Sequence, residues 1–84
     1  MLNAKETKKL LKEMAWEYYE FWANELETDN DKEVWPRVIK DLEATNHDPF
    51  SSQGELLDVE AKAEFMKELR INLGIQLERE VYGQ

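Results

Sequence analysis

The side chains best suited to acid–base chemistry are His47, the single histidine of the 84-residue sequence, and Asp48 beside it. A carboxylate can orient a neighbouring imidazole for proton transfer. No candidate nucleophile is tied to this pair by its spacing, and adjacent side chains in a loop often diverge. We therefore expect His47 to take part in a turn or to bond with backbone, and we expect the protein not to be an enzyme.

The acidic segment ELETDNDKE, residues 25–33, places carboxylates at alternating positions, as calcium-binding loops do. With Asp29 as the first ligand, however, position six is Val34 instead of Gly and position twelve is Lys40 instead of Glu. The sequence also has no cysteine, no pair of histidines and only three glycines, which removes the usual thiolate, histidine and phosphate-binding motifs. We expect no metal and no cofactor.

The composition favours a folded acidic protein, because hydrophobic residues make up 42% of the chain and the net charge is −8. Nucleic acid backbones and anionic membranes are themselves negative, so we expect direct binding to neither. The apolar runs are only two or three residues long. A bilayer-spanning helix needs roughly 18. Together with the absence of cysteine, these features predict a cytoplasmic protein.

Three segments predict an all-α fold: a small helical bundle of two long helices in a hairpin plus a shorter middle helix, with residues 1–84 as one domain. Asn3 and Glu6 have the spacing of a capping box, and the first helix is expected to run from there to about Leu26. Its inward stripe recurs every three or four residues. That stripe consists of Leu11, Met14, Ala15, Tyr18, Trp22 and Leu26.

The middle helix is expected from about Lys32 to Ala44, with an apolar side formed by Val34, Trp35, Val38, Ile39 and Leu42. Proline fits only the first turn of a helix, so Pro36 predicts either a helix that begins at Trp35 or Pro36, or a kink before it. Residues 45–54 are rich in turn formers and predict a loop, with Phe50 packed into the core.

The third helix is expected to begin near Leu56, or after Asp58 as its N-cap, and to end near Val81 or Tyr82. Residues 71–77 alternate between apolar and polar, which is a strand pattern, but the helix-forming sequence on both sides favours a helix. The predicted inward face is Val59, Ala63, Met66, Leu69, Leu73, Leu77 and Val81. Ile71, Ile75 and Tyr82 then fall on the opposite side.

Five of the nine aromatic residues lie within residues 16–22 of the first helix. Trp16, Tyr19 and Ala23 form a second apolar stripe beside the inward one, and a bundle this small has a thin core. We therefore expect Trp16, Tyr19 and Ala23, with Ile71, Ile75 and Tyr82, to bind another protein. The alternative is that the middle helix and the Phe50 loop cover the second stripe inside a monomer.

Two rows of charge accompany these apolar stripes: a basic row on the first helix and an acidic row on the third. Because the rows are opposite in sign, two copies of the chain could pair, and we expect a homodimer. The alternative is that both rows are simply solvated faces, since exposed ion pairs contribute little. The rows are Lys5, Lys9 and Lys12, and Glu60, Glu64 and Glu68.

Three functions are compatible with these features. The first is an adaptor or inhibitor of a larger protein, of the kind that phages, mobile elements and bacterial operons encode, with apolar side chains supplying the affinity. The second is a nucleic-acid mimic in which carboxylates stand in for phosphates, using Glu60, Glu64 and Glu68, or Glu13, Glu17 and Glu20. Lysines interrupt the acidic residues, which favours the first. The third is a structural subunit of a larger assembly.

Overall fold

The computed structural model contains three α-helices: α1 (Ala4–Glu25), α2 (Asp31–Ala44) and α3 (Val59–Tyr82). The structure describes residues 1–82 and the side chains of residues 1–73. No strand occurs within residues 1–82, where one isolated bridge pairs His47 with Leu56. The predicted all-α fold is confirmed, and residues 71–77 belong to α3, as the flanking sequence indicated.

Both ends of α1 are closed by local hydrogen bonds. At the start, the Asn3 side chain accepts from the Glu6 amide at 2.8 Å, and the Glu6 carboxylate accepts from the Asn3 amide at 3.3 Å, which confirms the predicted capping box. At the end, Glu27 has a left-handed backbone with φ 51°. The amide of Thr28 reaches the carbonyl of Ala23 at 3.0 Å, so the helix ends in a Schellman turn without glycine.

The sequence predicted that the middle helix either begins at Trp35 or Pro36 or begins earlier and is kinked before the proline. The structure shows the earlier start of this helix. Its first residue is Asp31, and Pro36 lies inside it, so a start at Trp35 or Pro36 is wrong. Asn30 caps the helix because its side chain accepts from the amide at position 32, at 3.0 Å, and its carbonyl accepts from Val34 at 3.1 Å. Pro36 has no amide N–H, so it removes one ladder bond from the interior of this helix.

Asp58 caps α3 as predicted, with its carboxylate accepting from the Ala61 amide at 2.9 Å. The hydroxyl of Thr7, which is fully buried in α1, accepts from the Asp58 amide at 2.9 Å. A second bond joins the same ends of the two helices, from Lys8 to Glu64. The N-terminal turns of α1 and α3 therefore lie against each other.

The loop between α2 and α3 corrects the prediction for Phe50, which is 61% exposed. Backbone bonds from Asp48 to Glu55 and from Leu57 to Asn46 hold the two sides of the loop together. Phe50 lies at the tip beyond them. Leu57, only 3% exposed, is the loop residue that packs into the core.

The core confirms the inward stripes predicted for α1 and α2 but changes the one predicted for α3. Met66 and Leu73 are buried as expected, whereas Val59 and Ala63 are exposed and Ala61 is buried. Leu77 and Val81 lie outside the described side chains. The physical reason is that the first turns of α3 are oriented by bonds to α1 and α2, which helix periodicity does not include. The core cluster is Leu11, Met14, Ala15, Val34, Val38, Leu42, Leu57 and Met66.

Candidate protein-interaction surface

Three aromatic rings meet where α1 crosses the N-terminal half of α2, and we call Trp16, Tyr19 and Trp35 the aromatic cluster. The ring centroids of Trp16 lie 6.0 Å from Tyr19 and 5.9 Å from Trp35, both edge to face. Tyr19 and Trp35 are 5.0 Å apart and tilted. Edge-to-face contacts of this kind contribute roughly 0.5–1.5 kcal/mol each beyond their burial. Each ring is thus held by the other two.

Tyr19 is also fixed by its hydroxyl group. The hydroxyl donates to the Asp31 carboxylate at 2.6 Å, and the carbonyl of Asp29 lies 3.3 Å away. The hydrogen bond to Asp31, together with burial and the nearby negative charge, raises the pKa of Tyr19 from 10.0 to about 12. The bond ties the middle of α1 to the first residue of α2.

Trp22 makes a parallel connection on its own side of α1. Its indole N–H donates to the Asp41 carboxylate at 2.6 Å. The guanidinium of Arg37 lies 5.3 Å from the Trp22 ring centroid, and Phe21 packs edge to face at 5.2 Å. A cation at this distance is attracted by the face of an indole. α2 is therefore bound to α1 by two carboxylates as well as by the core.

The predicted outward stripe of α1 is only partly outward. Trp16 is 56% exposed, as expected, but Tyr19 and Ala23 are half-buried and pack against the core. Trp35 of α2 covers this side of the helix. The alternative stated above, in which the middle helix covers the second stripe inside a monomer, therefore applies to part of the stripe. Phe21, on the other side of α1, is 53% exposed. The exposed aromatic surface of α1 is thus narrower than the sequence indicated.

On α3, Ile71 is 51% exposed, as its place opposite the inward stripe predicts. Ile75 and Tyr82, the other two residues of that predicted patch, lie outside the described side chains. The structure therefore places Trp16 and Ile71 on the surface and does not bring them into contact among the described residues.

The predicted charge rows are mostly exposed, but one member is used inside the molecule. Glu64 pairs with Lys8 of α1 at 2.8 Å. The bond raises the pKa of Lys8 and lowers that of Glu64, with hydrogen bonding the larger cause and charge attraction the next. Sequence reasoning left Lys8 out of the basic row because it considered α1 alone. The remaining members, Lys5, Lys9, Lys12, Glu60 and Glu68, are exposed.

A second apolar surface, which sequence reasoning missed, lies between α3 and the end of α2. It is an open groove of about 520 Å³. Its apolar lining is Met1, Leu56, Leu57, Val59, Ala63 and Met66, and we call it the α3 groove. Met1, Leu56 and Val59 are 85%, 58% and 79% exposed. The sequence assigned Val59 and Ala63 to the core, so their place in a surface groove depends on the tertiary orientation of α3.

The polar side of the α3 groove is closed by bonds within the protein. Lys62 donates to the carbonyls of Glu43 and Thr45 at 3.0 and 2.5 Å, and to the Asn46 side chain at 3.0 Å. A cation at the C-terminal carbonyls of a helix stabilises that end of the helix. Lys62 has this role at the C-terminal end of α2. Burial lowers the pKa of Lys62. Arg70 forms an ion pair with Glu43.

The described residues contain no group of three or more potential metal ligands. His47 is exposed and pairs through its backbone with Leu56. Within the part of the chain that the structure covers, none of the helices combines the length and the apolar character needed to cross a membrane.

No protein-family model matches the sequence, and the comparisons with curated proteins and with solved structures gave no significant match. The function proposed below therefore depends on the residues of this chain.

Proposed function

We propose that this protein is a small acidic interaction module, without enzymatic activity, that binds a larger protein and acts as its adaptor or inhibitor. We place it with the accessory proteins of phages and mobile elements and in the cytoplasm. The proposal is supported chiefly by Trp16, which is 56% exposed although two ring contacts hold it in place. A large aromatic side chain presented in a fixed position is typical of the residues that dominate protein interfaces.

The rigidity of the aromatic cluster supports a binding role more strongly than exposure alone. A flexible surface side chain loses roughly 0.5–1.5 kcal/mol of conformational freedom when a partner immobilises it. Trp16 has already lost much of that freedom because Tyr19 and Trp35 enclose one side of its ring. The hydrogen bond from Tyr19 to Asp31 fixes the support in turn. Binding through Trp16 would therefore lose less conformational entropy than binding through a flexible side chain.

Nucleic-acid mimicry is the second candidate, and the structure offers it one acidic row. Glu13, Glu17 and Glu20 are all exposed on α1. The row on α3 is less suitable, because Lys8 neutralises Glu64 at its centre. A mimic needs an uninterrupted negative face. We therefore favour an adaptor or inhibitor over a nucleic-acid mimic. A structural subunit of a larger assembly is the third candidate.

A homodimer and a hairpin of α1 with α3 also stay proposals. The Lys8–Glu64 bond changes the basis of the dimer, because part of the charge complementarity between the two rows is already satisfied inside one molecule. Pairing of two copies would then depend on Trp16 and Ile71. The hairpin has the weaker support, because a hairpin places the N-terminal turn of one helix beside the C-terminal turn of the other, whereas the bonds described above join the N-terminal turns of α1 and α3. Light scattering of the purified protein would count the subunits.

An affinity pull-down from the native host tests the proposed function. Trp16→Ala should abolish capture of the partner, whereas Phe50→Ala, which removes an equally exposed ring at the loop tip, should leave capture unchanged. High salt should slow association and leave the captured amount similar. Capture that collapses in salt and survives Trp16→Ala would favour mimicry instead.

A further inference from the structure

The uncovered side of Trp16 faces carboxylates of its own helix. At about 100° per residue, Glu13 and Glu20 lie about 60° and 40° round α1 from Trp16. Tyr19 lies about 60° round in the other direction, and Tyr19 and Trp35 hold the indole from that side. Side chains three or four positions apart on a helix are neighbours. The exposed indole therefore has one carboxylate a turn before it and another a turn after it.

These two carboxylates are available to a partner. Both are exposed, and neither has an ion pair or a hydrogen bond among the described residues, which is also true of Glu17. Within four residues of Trp16 the chain has these three carboxylates and one cation, Lys12. The surroundings of Trp16 on α1 are therefore negative, with one positive charge against three negative ones.

The ring next to Trp16 reports the same negative environment from α2. The hydrogen bond to Asp31 is the largest cause of the raised pKa of Tyr19, burial is the next, and the charges of Asp31 and Asp29 add to both. These two carboxylates come from the segment that begins α2, not from α1. Negative charge on two sides of the aromatic cluster attracts a cation to the one ring that is exposed there.

The protein already holds a guanidinium on an indole of the same helix. Arg37 lies 5.3 Å from the ring centroid of Trp22, whose N–H donates to the Asp41 carboxylate at 2.6 Å. That cation comes from α2, so the contact is made inside the molecule. At Trp16 the indole and the carboxylates are present, but both arginines of residues 1–73 are used elsewhere, because Arg70 is in an ion pair.

An arginine of another protein fits this place better than a lysine. A planar guanidinium lies flat on an indole while its N–H groups donate, in its own plane, to carboxylates at the edge of the ring. An ammonium group is more strongly hydrated and has no flat face. A single cation on an exposed indole gains only about two- to fivefold in affinity, so the arginine must belong to a partner that makes further contacts.

We propose that the partner places an arginine side chain on the exposed face of Trp16, with its guanidinium between the carboxylates of Glu13 and Glu20. The proposal rests on the proposed function, because it specifies the chemistry of the partner at the same residue. The acidic residues of α1 then select a basic partner surface, and the indole supplies the contact on which the guanidinium stacks.

The indole N–H signals in an NMR spectrum of the ¹⁵N-labelled protein test this without the partner. The chain has three tryptophans, and Trp16→Phe identifies the signal of Trp16. The probe is arginine blocked at both ends, titrated to millimolar concentrations. Blocked citrulline, which has the shape of arginine without its charge, and blocked lysine are the controls at the same ionic strength. Arginine should shift the Trp16 signal further than those of Trp22 and Trp35, lysine should bind more weakly, and citrulline should leave the signal in place.

Two double variants test the carboxylates. Glu13→Gln with Glu20→Gln should weaken arginine binding at Trp16 by at least about twofold, because both acceptors lose their charge. Glu55→Gln with Glu60→Gln removes the same charge from the loop and from α3, and it should leave the affinity unchanged. All four side chains are exposed, so equal thermal midpoints are expected and verify equal folding.

A Trp16 signal that arginine leaves in place would overturn the proposal, as would an equal response to citrulline, tighter binding of lysine, or equal weakening by the two double variants. The pull-down with Trp16→Ala separates this from the proposed function. If that variant abolishes capture but arginine does not move the Trp16 signal, the proposed function stands and the arginine contact is wrong. If capture survives Trp16→Ala, the proposed function fails and the arginine contact with it.

Discussion

Tyr19 belongs to two surfaces at once. Its helical spacing places it on an outward stripe of α1, yet its ring is half-buried under Trp35 and its hydroxyl is bonded to Asp31. The residue therefore stabilises the junction of α1 and α2 and also positions the ring of Trp16. Its titration reports on this junction directly, because the hydrogen bond exists only in the folded protein.

Tyr19→Phe should lower the free energy of unfolding by about 1 kcal/mol, the usual contribution of one hydrogen bond. The folded protein binds the Tyr19 proton more tightly, with a pKa of about 12 against 10.0. This contribution is fully present below pH 10 and is lost as the pH rises towards 12. Urea unfolding of the two proteins across that range measures the difference, which should shrink with rising pH.

Tyr18→Phe is the control for this measurement, because Tyr18 is half-buried on the same helix and its hydroxyl has no hydrogen bond among the described residues. It should change the free energy of unfolding less than Tyr19→Phe does, because no hydrogen bond is lost. A difference between wild type and Tyr19→Phe that stays constant over the whole pH range would contradict the role of Asp31.

At the scale of elements, the ends of the helices depend on a few specific bonds. α1 turns at Glu27, which adopts a left-handed backbone that costs a non-glycine residue roughly 1–2 kcal/mol. α2 ends at carbonyls that Lys62 of α3 caps from the side. Each of these two features leads to a prediction of its own.

Glu27→Gly should raise the free energy of unfolding by roughly 0.5–1 kcal/mol. Glycine relieves the left-handed strain, although it adds flexibility to the unfolded chain. Glu20→Gly, at an exposed position inside the same helix, should have the opposite sign and cost about 1 kcal/mol. Thermal unfolding of both variants measures this, and a destabilised Glu27→Gly protein would show that the Schellman turn is wrong.

Lys62→Met should lower stability by roughly 1–2 kcal/mol, because the carbonyls at the end of α2 lose their donor. Hydrogen exchange should become faster in the last turn of α2, around Leu42 and Glu43. Lys67→Met, at an exposed position of α3, is the matched control and should leave exchange in α2 unchanged. Equal exchange rates in α2 for the two variants would argue against capping by Lys62.

The features that the sequence predicts correctly are local. The caps at Asn3 and Asp58 and the inward stripes of α1 and α2 follow from residue types and spacing within one helix. The failures are tertiary. Val59 and Ala63 are exposed because α3 is oriented by Lys62 and Thr7, and Phe50 is exposed because the loop closes behind it at Leu57.

The candidate surfaces also contain local features, which the sequence predicts, and tertiary features, which it does not. Exposure of Trp16 and Ile71 could be predicted from helical periodicity, since each lies away from the inward stripe of its own helix. The partial burial of Tyr19 could not, because it requires Trp35 from another helix. The α3 groove has no local signature, since three segments distant in sequence form it.

The whole molecule is thin and elongated, at 46 × 26 × 16 Å with a radius of gyration of 13.9 Å. A compact chain of this length would have a radius of about 12 Å. The backbone spans 16 Å in its thinnest direction, which is about two packed layers of helices, since the axes of packed helices lie roughly 8–10 Å apart. Each helix can then bury only part of its circumference, and Trp16, Phe21, Val59 and Ile71 remain exposed for this reason.

The net charge of −8 should affect the speed of binding more than its strength. Raising the salt from about 0.01 to 0.15 M shortens the Debye length from about 30 to 8 Å and should slow association with a partner of opposite charge. The dissociation rate should change little, because apolar contacts hold the complex. Stopped-flow or biolayer measurements at the two salt concentrations check this, and a salt effect confined to dissociation would contradict it.

The central claim is that the rigid, exposed ring of Trp16 supplies the main contact with a protein partner. Its most direct test is the dissociation constant of the purified partner for wild type, Trp16→Ala and Phe50→Ala at physiological salt. We predict a loss of at least 2 kcal/mol, roughly thirtyfold, for Trp16→Ala and no measurable loss for Phe50→Ala. Equal affinities for all three proteins would contradict the claim.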